Sequence, residues 1–167
     1  MNPRPNRFSA AVFAGLVAII INSALLYSGS MLGIETGHGG LLKLLAKIVG
    51  VYPIPWARAG VPPIVGKYGF HIAIGVLMAL FYAYVVDPVL GANRSPLAKG
   101  VIYAFIVWLL NALIILPALG YGIAGFRAIP ASGMIYYALA HTVFFVLVAI
   151  LYSRWIRNNS TAKLSGA

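Results

Sequence analysis

Two stretches of this chain begin with histidine and end with tyrosine: HIAIGVLMALFY at residues 71–82 and HTVFFVLVAILY at residues 141–152. An imidazole can serve as a metal ligand or proton relay near neutral pH, and a phenol adds one donor and one acceptor. Aligned on His71 and His141, the stretches also share Val76 with Val146, Leu77 with Leu147 and Ala79 with Ala149 before reaching Tyr82 and Tyr152. Val, Leu and Ala matches come cheaply in apolar helices. His and Tyr matches do not, because the whole chain holds three His and ten Tyr. At about 100° per residue the shared His, Ala and Tyr fall on one face of a helix.

A pair of asparagines, Asn22 and Asn111, precedes the two histidines. Steps of four, seven and eleven residues back from Asn22 give Ala18, Gly15 and Ala11; the same steps from Asn111 give Val107, Ala104 and Gly100. Small residues on one stripe let helices approach closely in lipid. Asn22, His71, Tyr82, Asn111, His141 and Tyr152 therefore form the candidate ligand-binding layer.

The sharpest chemistry open to that layer is one b-type haem, with His71 and His141 as axial metal ligands in that case alone. Gly75, one turn after His71, would make room for the macrocycle, whereas Phe145 fills the matching place after His141. A polar layer in a repeated bundle also suits small-molecule or proton transport, though no carboxylate lies deep in a span to couple an ion gradient. Catalysis is not expected. The chain has no Cys, its only acids are Glu35 and Asp87, and no Ser stands in a G-x-S-x-G motif. Glu35 and His38, in the turn ETGHGG, are too few for a zinc site. The plainest expectation is hydrogen bonding across helices, at about 0.6 kcal/mol each, with no cofactor and no catalytic residue.

The elements that hold these groups follow from composition. Of 167 residues, 62% are hydrophobic and 8% charged, with a mean hydropathy of +0.94. A soluble domain carries about 25% charged residues, so lipid is the expected solvent. A span needs about 20 predominantly apolar residues, and four segments of one membrane domain over residues 1–167 qualify: approximately 8–34, 63–86, 100–119 and 131–152. Asp87-Pro88 is expected to stop the second span and Ser153-Arg154-Trp155 to close the fourth. The fold expected is an all-α integral membrane bundle of four transmembrane helices with a 2+2 internal repeat. The basic N-terminus leads into an apolar segment too long for a signal peptide, so it is expected to remain as the first helix.

The first connection is the longest. Within residues 39–58, Leu41, Leu42, Leu44, Leu45, Ile48 and Val49 cover one face and Lys43 and Lys47 the other, with Tyr52 and Trp56 beyond. That pattern describes an amphipathic helix lying in the membrane interface, serving as a gate, a docking surface or simply an interfacial rest. The Asn-to-His spacing is 49 residues in the first half and 30 in the second, and the excess matches this insertion.

Twelve Lys and Arg give a net charge of +10. They are scattered at span ends without a basic run, so anionic lipid headgroups are the expected partner and nucleic acid is not. Seven cations fall on the side of the N-terminus and five opposite, which places both termini in the cytoplasm. From residue 66 to 155 the chain resembles the small uncharacterised four-helix inner-membrane proteins of bacteria. The resemblance rests on the order His71-x3-Gly75, Lys99-Gly100, Trp108, Pro117 and His141. It implies a bacterial cytoplasmic membrane and carries no catalytic residue. The function expected is that of an accessory or assembly subunit of a larger membrane complex, with other subunits or further copies of itself as partners.

Overall fold

A computed structural model describes residues 6–36, 40–50 and 63–164, with side chains considered from 65 to 159 in its last stretch. His38, Tyr52 and Trp56 lie outside the described residues. Every regular element among them is helical: α1 (Arg7–Met31), α2 (Gly40–Ile48), α3 (Pro63–Phe81), α4 (Asp87–Leu90), α5 (Pro96–Leu110), α6 (Leu116–Ala118) and α7 (Ala131–Leu164). Four stretches are long and apolar enough to cross a membrane: Arg7–Met31, Val65–Leu90, Pro96–Ala118 and Ala131–Asn159, with mean hydropathies of 2.2, 2.0, 2.4 and 2.2. The chain has the make-up of a multi-pass membrane protein.

Local chemistry sets the boundaries. Asn6 caps α1, its side chain accepting from the amides of Phe8 and Ser9, as expected for an N-cap asparagine. At the other end Gly33 takes φ +71° and the Ile34 amide reaches back to the Gly29 carbonyl at 2.9 Å, a glycine-closed helix end. Ser95 caps α5 through the Ala98 amide, with Pro96 at the first turn. The third span thus starts before the expected Gly100.

Asp87-Pro88 does not stop the second span. Residues 82–86 form a π turn in which the Asp87 amide reaches the Tyr82 carbonyl, and the helix resumes as Asp87–Leu90 with Pro88 in its first turn. The third span repeats the device: residues 111–115 form a π turn, Leu116 reaches the Asn111 carbonyl, and Pro117 opens α6. Proline in an α-helix clashes with the carbonyl four residues back. One extra residue in the preceding turn moves that carbonyl aside, and such local adjustments are how membrane helices tolerate proline. The cost is a carbonyl without a helical donor. Ala83 and Ala112 lose their usual donors to the π bonds, and the next residue in line for each is a proline, which has no N–H.

Nor does Ser153-Arg154-Trp155 end the fourth helix, which continues to Leu164. No Gly or Pro interrupts residues 134–164, so nothing local breaks it. Its 34 residues span about 50 Å at 1.5 Å per residue, against a hydrocarbon thickness of about 30 Å.

The spans alternate in direction and pack in the order α3, α1, α7, α5, the contacts of α1 with α7, α1 with α3 and α5 with α7 being the main ones. Small residues make this possible. Ala10, Ala11, Ala14 and Ala18 are fully buried. A Cβ on Gly15 would lie 2.8 Å from Ala79 Cβ, and one on Gly100 would lie 2.7 Å from Val146 Cα. At Gly100 the obstacle is backbone, which cannot rotate away. Gly100→Ala is therefore expected to push α5 off α7 and cost about 1–2 kcal/mol, measured as a fall in thermal midpoint in detergent. Gly91→Ala, with nothing within 4 Å but φ +72°, separates backbone strain from close packing.

Candidate functional site

The described side chains bring part of the candidate layer together and leave part of it apart. Asn22 is fully buried on α1. Its Nδ2 donates to the Ala140 carbonyl of α7 at 2.8 Å, and its Oδ1 is 3.2 Å from His71 Nε2 of α3. With the amide oriented by Ala140, Oδ1 is the acceptor, so the His71 proton sits on Nε2. One side chain thus ties three spans.

His141 follows Ala140 directly but turns inward on its own helix. Its Nδ1 donates to the Tyr137 carbonyl at 2.9 Å, and the Tyr137 ring lies over it with centroids 3.9 Å apart. Asn22, bonded to His71 on one side and to the Ala140 carbonyl on the other, is what connects the neighbourhoods of the two imidazoles. The space expected beside Gly75 is taken by Ile19 of α1, whose side chain would lie 2.6 Å from an added Cβ. Gly75 is a contact point between helices.

Asn111 does not repeat the role of Asn22. Its Nδ2 donates to the Val107 carbonyl of its own helix at 3.2 Å. The reason lies in the register of the hairpins. Gly15 packs against Val76, whereas Val146, the counterpart of Val76, packs against Gly100, the counterpart of Ala11. Under the repeat expected from the sequence, equal packing would pair Val146 with Ala104, and the observed contact lies one helical turn away. Asn111 and Tyr137, together with Trp108, Ala112 and Tyr121, line a cavity of about 30 Å³. That volume holds one or two waters, and the donor-poor Ala112 carbonyl belongs to a lining residue.

Tyr82 and Tyr152 do come together, edge to face at 5.7 Å, nearer the end of the bundle that carries the α4–α5 turn. Tyr103, which the spacing of His and Asn did not single out, completes this cluster. It meets Phe145 edge to face with ring centroids 4.5 Å apart, and its hydroxyl donates to the Met78 carbonyl at 3.2 Å. Its one signal in the sequence is position: three residues after Gly100, it shares the face that meets α7. The Tyr82 hydroxyl is buried and makes no hydrogen bond among the described residues. Removing an unsatisfied buried hydroxyl relieves its desolvation penalty. Tyr82→Phe is expected to leave the thermal midpoint unchanged or raise it, by up to about 1 kcal/mol.

Two further ties escaped the sequence reading. Lys99, 7% exposed, pairs with Asp87 at 2.5 Å across the α4–α5 turn. On the opposite side of the membrane layer, Tyr136 donates to the Leu25 carbonyl at 2.7 Å and meets the Ser28 hydroxyl at 2.9 Å. No group of three or more His, Asp or Glu gathers among the described residues. No known family, curated protein or solved structure matches the chain.

Proposed function

We propose that this chain is an accessory or assembly subunit of a larger complex in the bacterial cytoplasmic membrane, with both termini cytoplasmic and no catalysis of its own. The observation that carries the reading is the double engagement of Asn22 with α3 and α7. A deep polar side chain in lipid normally faces other polar groups, and here it is spent on joining helices rather than presented to a ligand. The reading retains a 2+2 arrangement, since a duplicated hairpin can slide by a turn while keeping its small-residue contacts. Phe105, Ile114 and Trp108 on α5 and its continuation are exposed and offer aromatic and branched contacts to neighbouring chains.

A photo-crosslinking residue placed at Phe105 or Ile114 in living cells tests this. One covalent adduct of fixed mass and 1:1 stoichiometry is the expected result. Adducts with lipid alone would refute it. The competing reading is small-molecule or proton transport at the His71/His141 layer. Its support is that His141 Nε2 makes no hydrogen bond among the described residues, while Tyr137, which His141 Nδ1 bonds, lines the cavity. Flux through liposomes of the pure protein, lost in His141→Ala, would favour transport.

A further inference from the structure

We propose that α2 and residues 118–127 together form a binding site for the phosphate of an anionic membrane lipid, gripped by Lys43, Lys47 and Arg127. Three cations from two parts of the chain, Lys43 and Lys47 on α2 and Arg127 beyond α6, lie against one turn. Lys43 Nζ donates to the Tyr121 hydroxyl at 3.2 Å and lies 5.7 Å from the centre of its ring. Lys47 Nζ donates to the Ala118 carbonyl at 3.3 Å. The stem of Arg127 rests on Gly122, its Cγ 3.1 Å from the place of an added Cβ, and its amide is fixed to the Tyr121 carbonyl at 3.0 Å. Each ammonium has three donors and spends one on this turn, so each keeps others for an anion. An arginine adds the paired donors that suit phosphate oxygens.

Among the described residues no carboxylate pairs with them. It has two acids. Asp87 is paired with Lys99 at the opposite end, and Glu35 makes no ion pair among the described residues, its main-chain carbonyl being held against Gly133. That leaves their charge open to an anion from outside the chain. The flanks indicate which source: Leu45, Ile48, Val49, Ile123 and Phe126 are exposed around the cations. Apolar side chains beside lysines are the make-up of a surface at the headgroup boundary, where a lipid phosphate is available and a free anion has nothing to gain from the hydrocarbon. The neighbouring cavity of about 30 Å³ is too small for an acyl chain, so recognition is of the headgroup. This inference is independent of the proposed subunit role.

The test uses the full chain in neutral detergent, with phosphatidylglycerol or phosphatidylcholine added and bound lipid counted by native mass spectrometry. Phosphatidylglycerol should be retained preferentially, and K43Q/K47Q/R127Q should abolish that preference. The control K67Q/R94Q/R154Q removes the same charge elsewhere and should keep most of it. Arg127→Gln alone, at an exposed position, should weaken retention roughly fivefold, with an unchanged thermal midpoint confirming that it folds. Equal loss in both triple variants would mean diffuse attraction and would overturn the site. So would the absence of a preference in the native chain. Displacement of the lipid by a few millimolar inorganic phosphate would assign the cations to a free anion instead.

Discussion

Asn22→Asp should destabilise the folded bundle by about 3 kcal/mol, the cost of a carboxylate deep in a membrane helix, although it is nearly isosteric with the native residue. The amide nitrogen at this position donates to the Ala140 carbonyl, and a carboxylate there would set oxygen against oxygen. Asn22→Ala removes the same bond and the His71 contact without adding charge. Two interhelical bonds at about 0.6 kcal/mol each, with a ceiling near 1.7, put its cost at about 1–2 kcal/mol. Reversible unfolding in detergent or bicelles orders the two variants. Asp and Ala variants of equal stability would show that Asn22 fills space and does not clamp. A cycle with His71→Ala isolates the α1–α3 arm, and a coupling near zero would leave only the α7 arm in place.

Lys99→Met comes second, with an expected loss of about 2–3 kcal/mol. Stranding one member of a buried ion pair typically costs 3–5 kcal/mol. The lower figure reflects partial access of water to Asp87, whose side chain is 23% exposed. The same logic predicts a rescue. In Lys99→Met/Asp87→Asn no charge remains unpaired, and most of the loss should return, because a desolvated pair often does no better than uncharged side chains of similar volume. Midpoints of the two single variants and the double variant, compared at one pH and salt, check both claims. A double variant as unstable as Lys99→Met would mean that lysine packing, not its charge, supports the turn.

Much of the bundle was legible because lipid imposes few solutions. Four apolar segments of sufficient length implied four helices, and small residues spaced from Asn22 marked the face of α1 that the other helices cover. The Asn22–His71 contact was legible too, as two costly polar groups at matching depth. The rest depended on geometry that residue types do not encode. The π turns before Pro88 and Pro117 are a response to proline that could equally have been a helix end, and the expectation of a stop at Asp87 followed the commoner outcome. Matching Asn111 to Asn22 by type assumed equal register in both hairpins, whereas Val146 packs one turn away, on Gly100, and the Asn111 amide goes to Val107. Asp87 and Lys99 were legible separately, as a span end and a topology marker. Their pairing needed the tight turn between them.

The uninterrupted run of α7 couples two regions that composition would treat as separate. From His141 to Leu164 the rod is about 35 Å long at 1.5 Å per residue, and no glycine or proline offers a joint along it. Tilting its far end sideways by about 3 Å is a rotation of only about 5° over that length, yet the whole rod must turn. Turned by that angle about the packing of Trp155 on Phe13, the rod would carry Ala140, about 22 Å away, sideways by about 2 Å and stretch its bond to the amide donor on α1. Whatever holds the overhanging end would thereby govern how tightly the spans are latched.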